Sequence, residues 1–103
     1  MFSGKSEELI RRVIRYNLAR VPTQTFKPEL DTRYAEKKLV SHSNLSVEAH
    51  PVKDSAELLS AIEDRTIVVG IDEGQYFDLE LVEVATMLAN AGKRVIVAGL
   101  DLD

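Results

Sequence analysis

The stretch Thr66-Ile67-Val68-Val69-Gly70-Ile71-Asp72-Glu73 decides the fold of this chain. Before its two acids the run is almost continuously apolar and β-branched. That composition is typical of a strand buried on both faces of a parallel sheet. We therefore predict a buried strand over residues 66–71 that stops at Asp72.

The sequence that follows continues a parallel α/β pattern. Residues 79–90 have helical spacing, and Gly92 stands at the expected C-terminal break. A second apolar strand follows from Lys93 through residues 95–100 and again ends at an acid, Asp101. The order strand, helix, strand predicts a parallel layer covered by helices. The residues of this helix expected to face inward are Leu81, Val82, Ala85, Leu88 and Ala89.

An amphipathic helix is predicted over residues 6–18, and Pro22 stops it. Glu7 and Glu8 lie in the first turn of this predicted helix, and several arginines follow. This order of charges suits the helix macrodipole. The apolar face consists of Leu9, Ile10, Val13, Ile14 and Leu18.

The segment between these regions is less regular. Residues 23–26 are predicted as a short strand, ended by Lys27-Pro28, although they are less apolar than a buried strand should be. Residues 29–44 have no steady period and indicate a long loop, and residues 47–52 indicate another strand. Ser55 is the expected N-cap of a helix over residues 55–62. The residues of this helix expected to face inward are Leu58, Leu59 and Ile62.

Composition limits the possible classes of protein. A chain of 103 residues with 45% hydrophobic content suits one domain or part of one. The net charge of -4 and the absence of a basic stripe disfavour a nucleic-acid partner. The chain has no cysteine, so it offers neither disulfides nor Cys-ligated zinc. No apolar run approaches the roughly 18 residues of a membrane span, and we expect a soluble cytoplasmic protein without a membrane partner.

Ser3-Gly4-Lys5-Ser6 opens the first predicted helix and matches the end of the phosphate-loop pattern G-x-x-x-x-G-K-[ST]. In that pattern the backbone N–H groups and the helix dipole hold phosphates. Lys5 neutralises phosphate charge and the Ser6 hydroxyl helps to hold Mg²⁺. The first glycine of the pattern is not present, and an ordinary surface Gly-Lys-Ser turn remains the alternative.

Asp72 and Glu73 stand where P-loop enzymes place a metal-binding acid, at the carboxyl end of a neighbouring strand. Asp72 would orient Mg²⁺ or its water, and Glu73 could take a proton from an attacking hydroxyl or water. An ordinary acidic strand end is the alternative. Asp31 and Arg33 lie in the long loop, where an acid could meet the metal and a cation could reach phosphates.

Four further residues bear on the site. Tyr76 and Phe77 follow the acidic pair and are predicted to belong to the core rather than to stack on a base. His42 and His50 have no neighbouring ligand set, so we expect surface or loop positions for both.

Several blocks of the sequence together resemble the type II, cytosolic-type thymidine kinases. The resemblance covers essentially the whole chain, and the blocks occur in the family's order. They are residues 1–12, Phe26-Lys27-Pro28, Asp31-Thr32-Arg33-Tyr34, Val40-Ser41-His42, residues 71–77 (Ile-Asp-Glu-Gly-Gln-Tyr-Phe) and residues 95–101.

The resemblance implies transfer of the ATP γ-phosphate to the 5′-hydroxyl of thymidine, with Mg²⁺ bound to ATP. Glu73 matches the catalytic base. The positions implied for ATP and phosphate are Met1, Phe2, Ser3, Gly4, Lys5, Ser6, Arg33, Asp72, Gly74 and Gln75. Those implied for magnesium are Ser6, Asp31 and Asp72. Those implied for the nucleoside are Met1, Gln75 and Phe77.

The resemblance also implies a RecA-like P-loop fold, of which residues 1–103 would be a partial nucleotide-binding domain. A first strand with the leading Gly-Pro would precede Met1, and a zinc-bearing lasso domain would follow Asp103. Family members are usually homotetramers inhibited by the end-product triphosphate. Two alternatives remain open: a RecA-type P-loop ATPase, in which Glu73 activates water, and a non-catalytic nucleotide-binding module.

Overall fold

The chain folds into a parallel sheet flanked by helices. The computed structural model describes the backbone of residues 2–29, 38–40 and 45–99, and the side chains of residues 7–29, 39 and 45–99. The helices are α1 (Phe2–Leu18), α2 (Ser55–Ala61) and α3 (Glu80–Asn90). The strands are β1 (Thr23–Pro28), β2 (Lys38–Val40), β3 (Ser46–Glu48), β4 (His50–Val52), β5 (Val68–Ile71) and β6 (Arg94–Val97). The larger sheet has the order β4-β1-β5-β6 with every pair parallel, which confirms the predicted α/β class.

Two hydrophobic clusters cover the two faces of this sheet. On one face the buried side chains of α2 and α3, including Leu58 and Leu81, pack against β5. On the other face α1 packs with the β2–β3 pair. All four residues of β5 are buried, which confirms the prediction of a strand covered on both faces. The strand begins at Val68 rather than at Thr66, and Ile67 is 49% exposed. Gly70 lies under α1, since a Cβ there would be 3.1 Å from the Leu9 Cδ1 atom.

Helix α1 begins at Phe2, four residues before the predicted start at Ser6. The first turn therefore contains no acid, and the prediction that Glu7 and Glu8 lie in it is wrong. The error arose because the amphipathic pattern begins later than the helical backbone. The two glutamates instead form ion pairs one turn along the helix, with Arg11 at 3.1 Å and Arg12 at 2.9 Å.

Strand β1 lies inside the sheet although it is rich in polar residues. Strand β4 pairs only with its second half, from Phe26 onward. In the first half the side chain of Gln24 is satisfied by hydrogen bonds to neighbouring elements. Its amide donates to the Ala61 carbonyl at 3.0 Å and accepts from Glu63 N at 2.9 Å and Thr66 Oγ1 at 2.6 Å. Polar satisfaction explains why this strand is less apolar than a buried strand usually is.

Two predictions for the segment before α2 need correction. The predicted loop over residues 29–44 contains β2, which pairs antiparallel with β3, while residues 30–37 and 41–44 lie outside the described residues. The single strand predicted over residues 47–52 is divided at Ala49 into β3 and β4, which belong to different sheets. Local sequence pattern does not report which strand a segment pairs with.

The ends and faces of the later elements also differ from prediction. Asp54, not Ser55, caps α2, because its carboxylate accepts the Glu57 N–H at 2.9 Å. Helix α3 starts at Glu80, one residue later than predicted, and buries Val84, whereas Val82 is 48% exposed. Ala89, also predicted to face inward, is exposed.

Strand β6 is shorter than the strand predicted over residues 95–100, and it is buried only at its end, Val97. Val95 and Ile96 are half-buried. The predicted break after α3 is confirmed by Gly92, which has a φ of +90°.

Within the described part of the chain, none of the helices combines the length and apolar character needed to cross a bilayer.

Candidate functional site

The carboxyl ends of β1, β5 and β6 meet at one edge of the sheet, where the acidic pair lies. The backbone N–H of Asp72 donates to the Phe26 carbonyl of β1 at 2.9 Å. On the other side, the N–H of Ala98 donates to the Ile71 carbonyl at 2.7 Å. These bonds extend the ladder beyond the ends of the strands and fix Asp72, which is only 6% exposed.

Glu73 has a backbone conformation that non-glycine residues seldom adopt. Its φ of 55° and ψ of 45° lie in the left-handed region, which costs about 1–2 kcal/mol for an L-residue. The following 3-10 turn, Gly74–Tyr76, holds this geometry. Gly74 N–H donates to the Ala98 carbonyl at 2.8 Å, and Tyr76 N–H donates to the Glu73 carbonyl at 3.0 Å. Such strain in a turn at a sheet edge is a frequent feature of functional sites.

The Gln75 side chain turns back onto Glu73. Its Nε2 donates to Glu73 Oε1 at 3.0 Å. Its Oε1 is buried and has no hydrogen-bond partner among the described residues. Phe77 is half-buried against the α2–α3 side of the sheet, which confirms its predicted place in the core, whereas Tyr76 is 58% exposed and that prediction is wrong.

Sequence reasoning missed Gly99, which closes the site from β6. Its φ is +101°, and a Cβ at this position would lie 2.0 Å from Gln75 Oε1 and 3.0 Å from Gly74 N. A side chain cannot occupy that space while Gln75 stays in place. The available signal was a glycine directly after a predicted strand end, which marks close backbone approach.

Helix α1 directs its N-terminus toward the same edge. Its middle lies over Gly70, whereas Asn17 near its end lines a cavity of about 520 Å³ together with Pro22 and Thr23, at the amino end of β1. The helix therefore runs antiparallel to the strands. A helix N-terminus presents unpaired N–H groups and partial positive charge, which favour an anion nearby.

The structure describes only some of the remaining predicted site residues. Met1, Asp31 and Arg33 lie outside the described residues. The backbone of residues 2–6 is helical, so Ser3, Gly4 and Lys5 do not form the loop expected before the helix. The described residues that the fold brings together are Asp72, Glu73, Gly74, Gln75 and Phe77.

The two histidines were predicted to take no part in the site. His50 is exposed and makes an edge contact with Phe26 at a ring-centroid distance of 6.0 Å. His42 lies outside the described residues.

The donor set at the edge suits a metal carried by a phosphate ligand. Among the described residues, no three His, Cys, Asp or Glu side chains are grouped so that they could hold a metal. Mg²⁺ bound to a nucleotide needs only one or two protein carboxylates, because phosphates and waters complete its shell. The nearly buried Asp72 carboxylate satisfies that chemical requirement.

A second acidic group lies where α2 and α3 begin. Asp78 Oδ1 accepts hydrogen bonds from the Ser55 hydroxyl and backbone N–H. The hydroxyl bond is the main cause that lowers the pKa of Asp78. The pKa of Glu80 is raised, chiefly by its hydrogen bond with Asp78 and by the charge of that carboxylate. This contact fastens the two helix starts together.

Two comparisons with known proteins indicate the same family. The family model described as Thymidine kinase matches residues 1–103. A thymidine kinase of Rhodothermus sp. (strain ITI 518) is 55% identical over 101 residues, which cover 98% of this chain and 47% of that protein. The chain thus spans about half the length of this curated relative. With a match over its full length, the chain belongs to the thymidine kinase family.

Proposed function

We propose that this chain provides the phosphate-transfer part of a thymidine kinase, which moves the ATP γ-phosphate to the 5′-hydroxyl of thymidine. Family membership supports the substrates. The observation that carries the mechanism is Glu73, held in a left-handed conformation beside the nearly buried Asp72 at the carboxyl edge of the sheet. The N-terminus of α1 is directed toward this edge, where a phosphate would meet its N–H groups.

In the proposed reaction Glu73 takes the proton of the 5′-hydroxyl while that oxygen attacks the γ-phosphorus in line. The bond from the γ-phosphorus to the β–γ bridging oxygen breaks, and ADP leaves. Mg²⁺, bound with ATP, offsets the charge of the β- and γ-phosphate oxygens. Asp72 would hold this ion, and we assign Ser6 and Asp31 to the same task.

The other proposed roles follow the resemblance to the family. Lys5 and Arg33 would neutralise phosphate charge, since cations near the transferring group stabilise its transition state. Backbone N–H groups at the start of α1, which includes Phe2, Ser3 and Gly4, would contact the phosphates, and Gly74 would lie beside them. The resemblance implies nucleoside contacts for Met1, Gln75 and Phe77. Of these we propose Met1 and Phe77 as contacts, because the Gln75 amide is turned onto Glu73.

Further features of the whole protein are proposed from the family alone. They are a homotetramer, inhibition by the end-product triphosphate, a structural zinc ion in a separate lasso domain, and action in the cytoplasm without a nucleic-acid partner. Residues 1–103 would form part of the P-loop nucleotide-binding domain. The chain contains no cysteine, so its own residues offer no Cys ligand for the zinc.

Phosphate transfer from ATP to thymidine tests the proposal, with protein expressed from the complete gene. Deoxycytidine and a reaction without nucleoside serve as controls. We expect phosphorylation of thymidine that falls by about 10² to 10⁴ in Glu73→Gln, the usual range for a general base. ATP hydrolysis without a nucleoside product would replace the proposal with a RecA-type ATPase. Nucleotide binding without either activity would indicate a binding module.

Lys5→Ala tests the phosphate assignment separately. We expect weaker ATP binding together with slower turnover, because a cation that contacts the phosphates stabilises both the bound ATP and the transition state. Isothermal titration with a non-hydrolysable ATP analogue measures the affinity. An unchanged affinity would contradict the assignment of Lys5 to the phosphates.

A further inference from the structure

The Gln75 amide has a fixed orientation in the turn after β5. Its Nε2 donates to Glu73 Oε1 at 3.0 Å. The amide nitrogen is the donor and the carboxylate oxygen is the acceptor of this bond, so the nitrogen of the amide faces Glu73. The amide oxygen is consequently directed away from the carboxylate, toward Gly99.

Gly99 provides the space that this oxygen occupies. A Cβ at position 99 would lie 2.0 Å from Gln75 Oε1 and 3.2 Å from Gln75 Cδ. Real Cβ atoms do not approach other atoms so closely, so Gln75 would have to move. Oε1 is buried without a hydrogen-bond partner among the described residues, which is unfavourable for a polar atom. The amide therefore keeps this position although it is unfavourable for its own oxygen.

The backbone around the pair is held independently of the amide. Gly74 N–H donates to the Ala98 carbonyl at 2.8 Å, directly before Gly99. The left-handed backbone of Glu73 aims its side chain, but rotation about the side-chain bonds of Glu73 remains to be fixed. The hydrogen bond from the Gln75 amide restricts this rotation.

We propose that Gln75 is a positioning residue for the Glu73 carboxylate, and that glycine is required at position 99 to seat the Gln75 amide. The proposal rests on the function proposed above for Glu73. It assigns Gln75 a role that differs from direct contact with the nucleoside or the phosphates. A positioning residue affects the chemical step, whereas a substrate contact affects binding.

Gly92 offers a matched control for substitution at Gly99. It also has a positive φ, +90°, and it lies at the other end of β6. A Cβ there would meet nothing within 4 Å. Gly92→Ala therefore introduces the backbone strain of a positive φ without a displaced neighbour, whereas Gly99→Ala introduces both.

The experiment compares Gln75→Ala, Gly99→Ala, the double variant and Gly92→Ala, in protein expressed from the complete gene. Steady-state kinetics with ATP and thymidine give kcat and KM, and thermal unfolding checks that each variant folds. We expect kcat to fall about tenfold in Gln75→Ala and in Gly99→Ala with KM nearly unchanged, which corresponds to about 1.4 kcal/mol. The double variant should be no slower than either single variant, because both act on one contact. Gly92→Ala should keep the kcat of the parent.

Three kinetic results would overturn the proposal. A rise in KM with unchanged kcat in Gln75→Ala would make Gln75 a substrate contact. Multiplicative losses in the double variant would separate Gly99 from Gln75. Equal kcat values for Gly99→Ala and Gly92→Ala would mean that strain alone explains the effect.

An NMR measurement separates failure of this inference from failure of the proposed kinase function. The side-chain amide resonances of Gln75 should shift in Glu73→Gln and in Gly99→Ala, and stay in place in Gly92→Ala. This readout needs no turnover, so it tests the seated amide even if the protein does not phosphorylate thymidine. Resonances that are unchanged in Gly99→Ala would overturn the proposal.

Discussion

Polar side chains at the two ends of the parallel sheet differ in how completely their hydrogen bonds are satisfied. At the amino end the Gln24 amide makes three hydrogen bonds, to the end of α2 and to the segment before β5. Lys93, directly before β6, donates to three backbone carbonyls of that same segment, at 2.6 to 3.3 Å. These contacts fasten the elements to one another.

At the carboxyl end Glu73 adopts a left-handed backbone, Asp72 is nearly buried, and Gln75 Oε1 lacks a hydrogen-bond partner within the described part of the chain. The left-handed backbone and the amide oxygen without a partner each lower stability by themselves. The comparison teaches that stability and function are separated along the strands. Substitutions at the amino end should change stability alone, whereas those at the carboxyl end should change activity with little loss of stability.

The largest expected effect is that of Glu73→Gly. Loss of the carboxylate should lower turnover by about 10² to 10⁴. Glycine relieves the left-handed strain but gains freedom in the unfolded state, so the free energy of unfolding should stay constant or rise by up to about 1 kcal/mol. Urea unfolding and thymidine phosphorylation measure the two quantities. Clear destabilisation together with normal turnover would contradict the assignment of the carboxyl end of the sheet to activity.

Gln24→Leu should have the largest effect on stability at the amino end. It leaves the Thr66 hydroxyl, the Glu63 N–H and the Ala61 carbonyl without their partner, at a cost of about 1–3 kcal/mol. Urea unfolding measures this cost, and kcat should remain that of the parent. Thr86→Ala, which removes an exposed hydroxyl bonded to Val82 O, serves as the control. A large drop in kcat would mean that the two ends are coupled.

A smaller loss is expected from Lys93→Met, which keeps the apolar stem and removes the donors to the three carbonyls. The expected loss is about 0.5–1.5 kcal/mol, since water can partly replace the ammonium group at this half-buried site. Thermal unfolding at two salt concentrations measures it. The exposed substitution Lys53→Met provides the matched control and should change the midpoint less.

The smallest expected effect concerns acid stability at the starts of α2 and α3. Because the folded-state pKa of Asp78 is lowered, its ionised form stabilises the fold above the unfolded pKa of about 3.9. That contribution is lost as the pH falls through the folded pKa. Ser55→Ala removes the main cause of the shift, so it should unfold at a higher pH in a circular-dichroism acid titration. Ser60→Ala, which removes a hydroxyl bonded within α2, should have the same midpoint pH of acid unfolding as the parent.

Particular elements show how far sequence reasoning reached. The parallel layer around β5 was predicted because a continuous β-branched run has few other places to be buried. The edge position of Asp72 and Glu73 followed from the end of that run. The division of residues 47–52 between two sheets was not predictable, because strand pairing depends on distant partners. The inward phase of α3 was likewise wrong at Val82, because apolar residues flank the buried Leu81 and Leu88 on both sides and only packing selects the side of Val84.

The sequence by itself determined the α/β class, the family and the acidic pair at the strand end, because these depend on composition and on short motifs. Only the tertiary structure decided that Gly99 faces Gln75. It also decided that hydrogen bonds of Gln24, rather than buried apolar side chains, hold the first half of β1. The physical reason is that both arrangements join residues more than 20 positions apart in the chain. Contacts of that kind arise from packing of the whole sheet, and no local pattern encodes them.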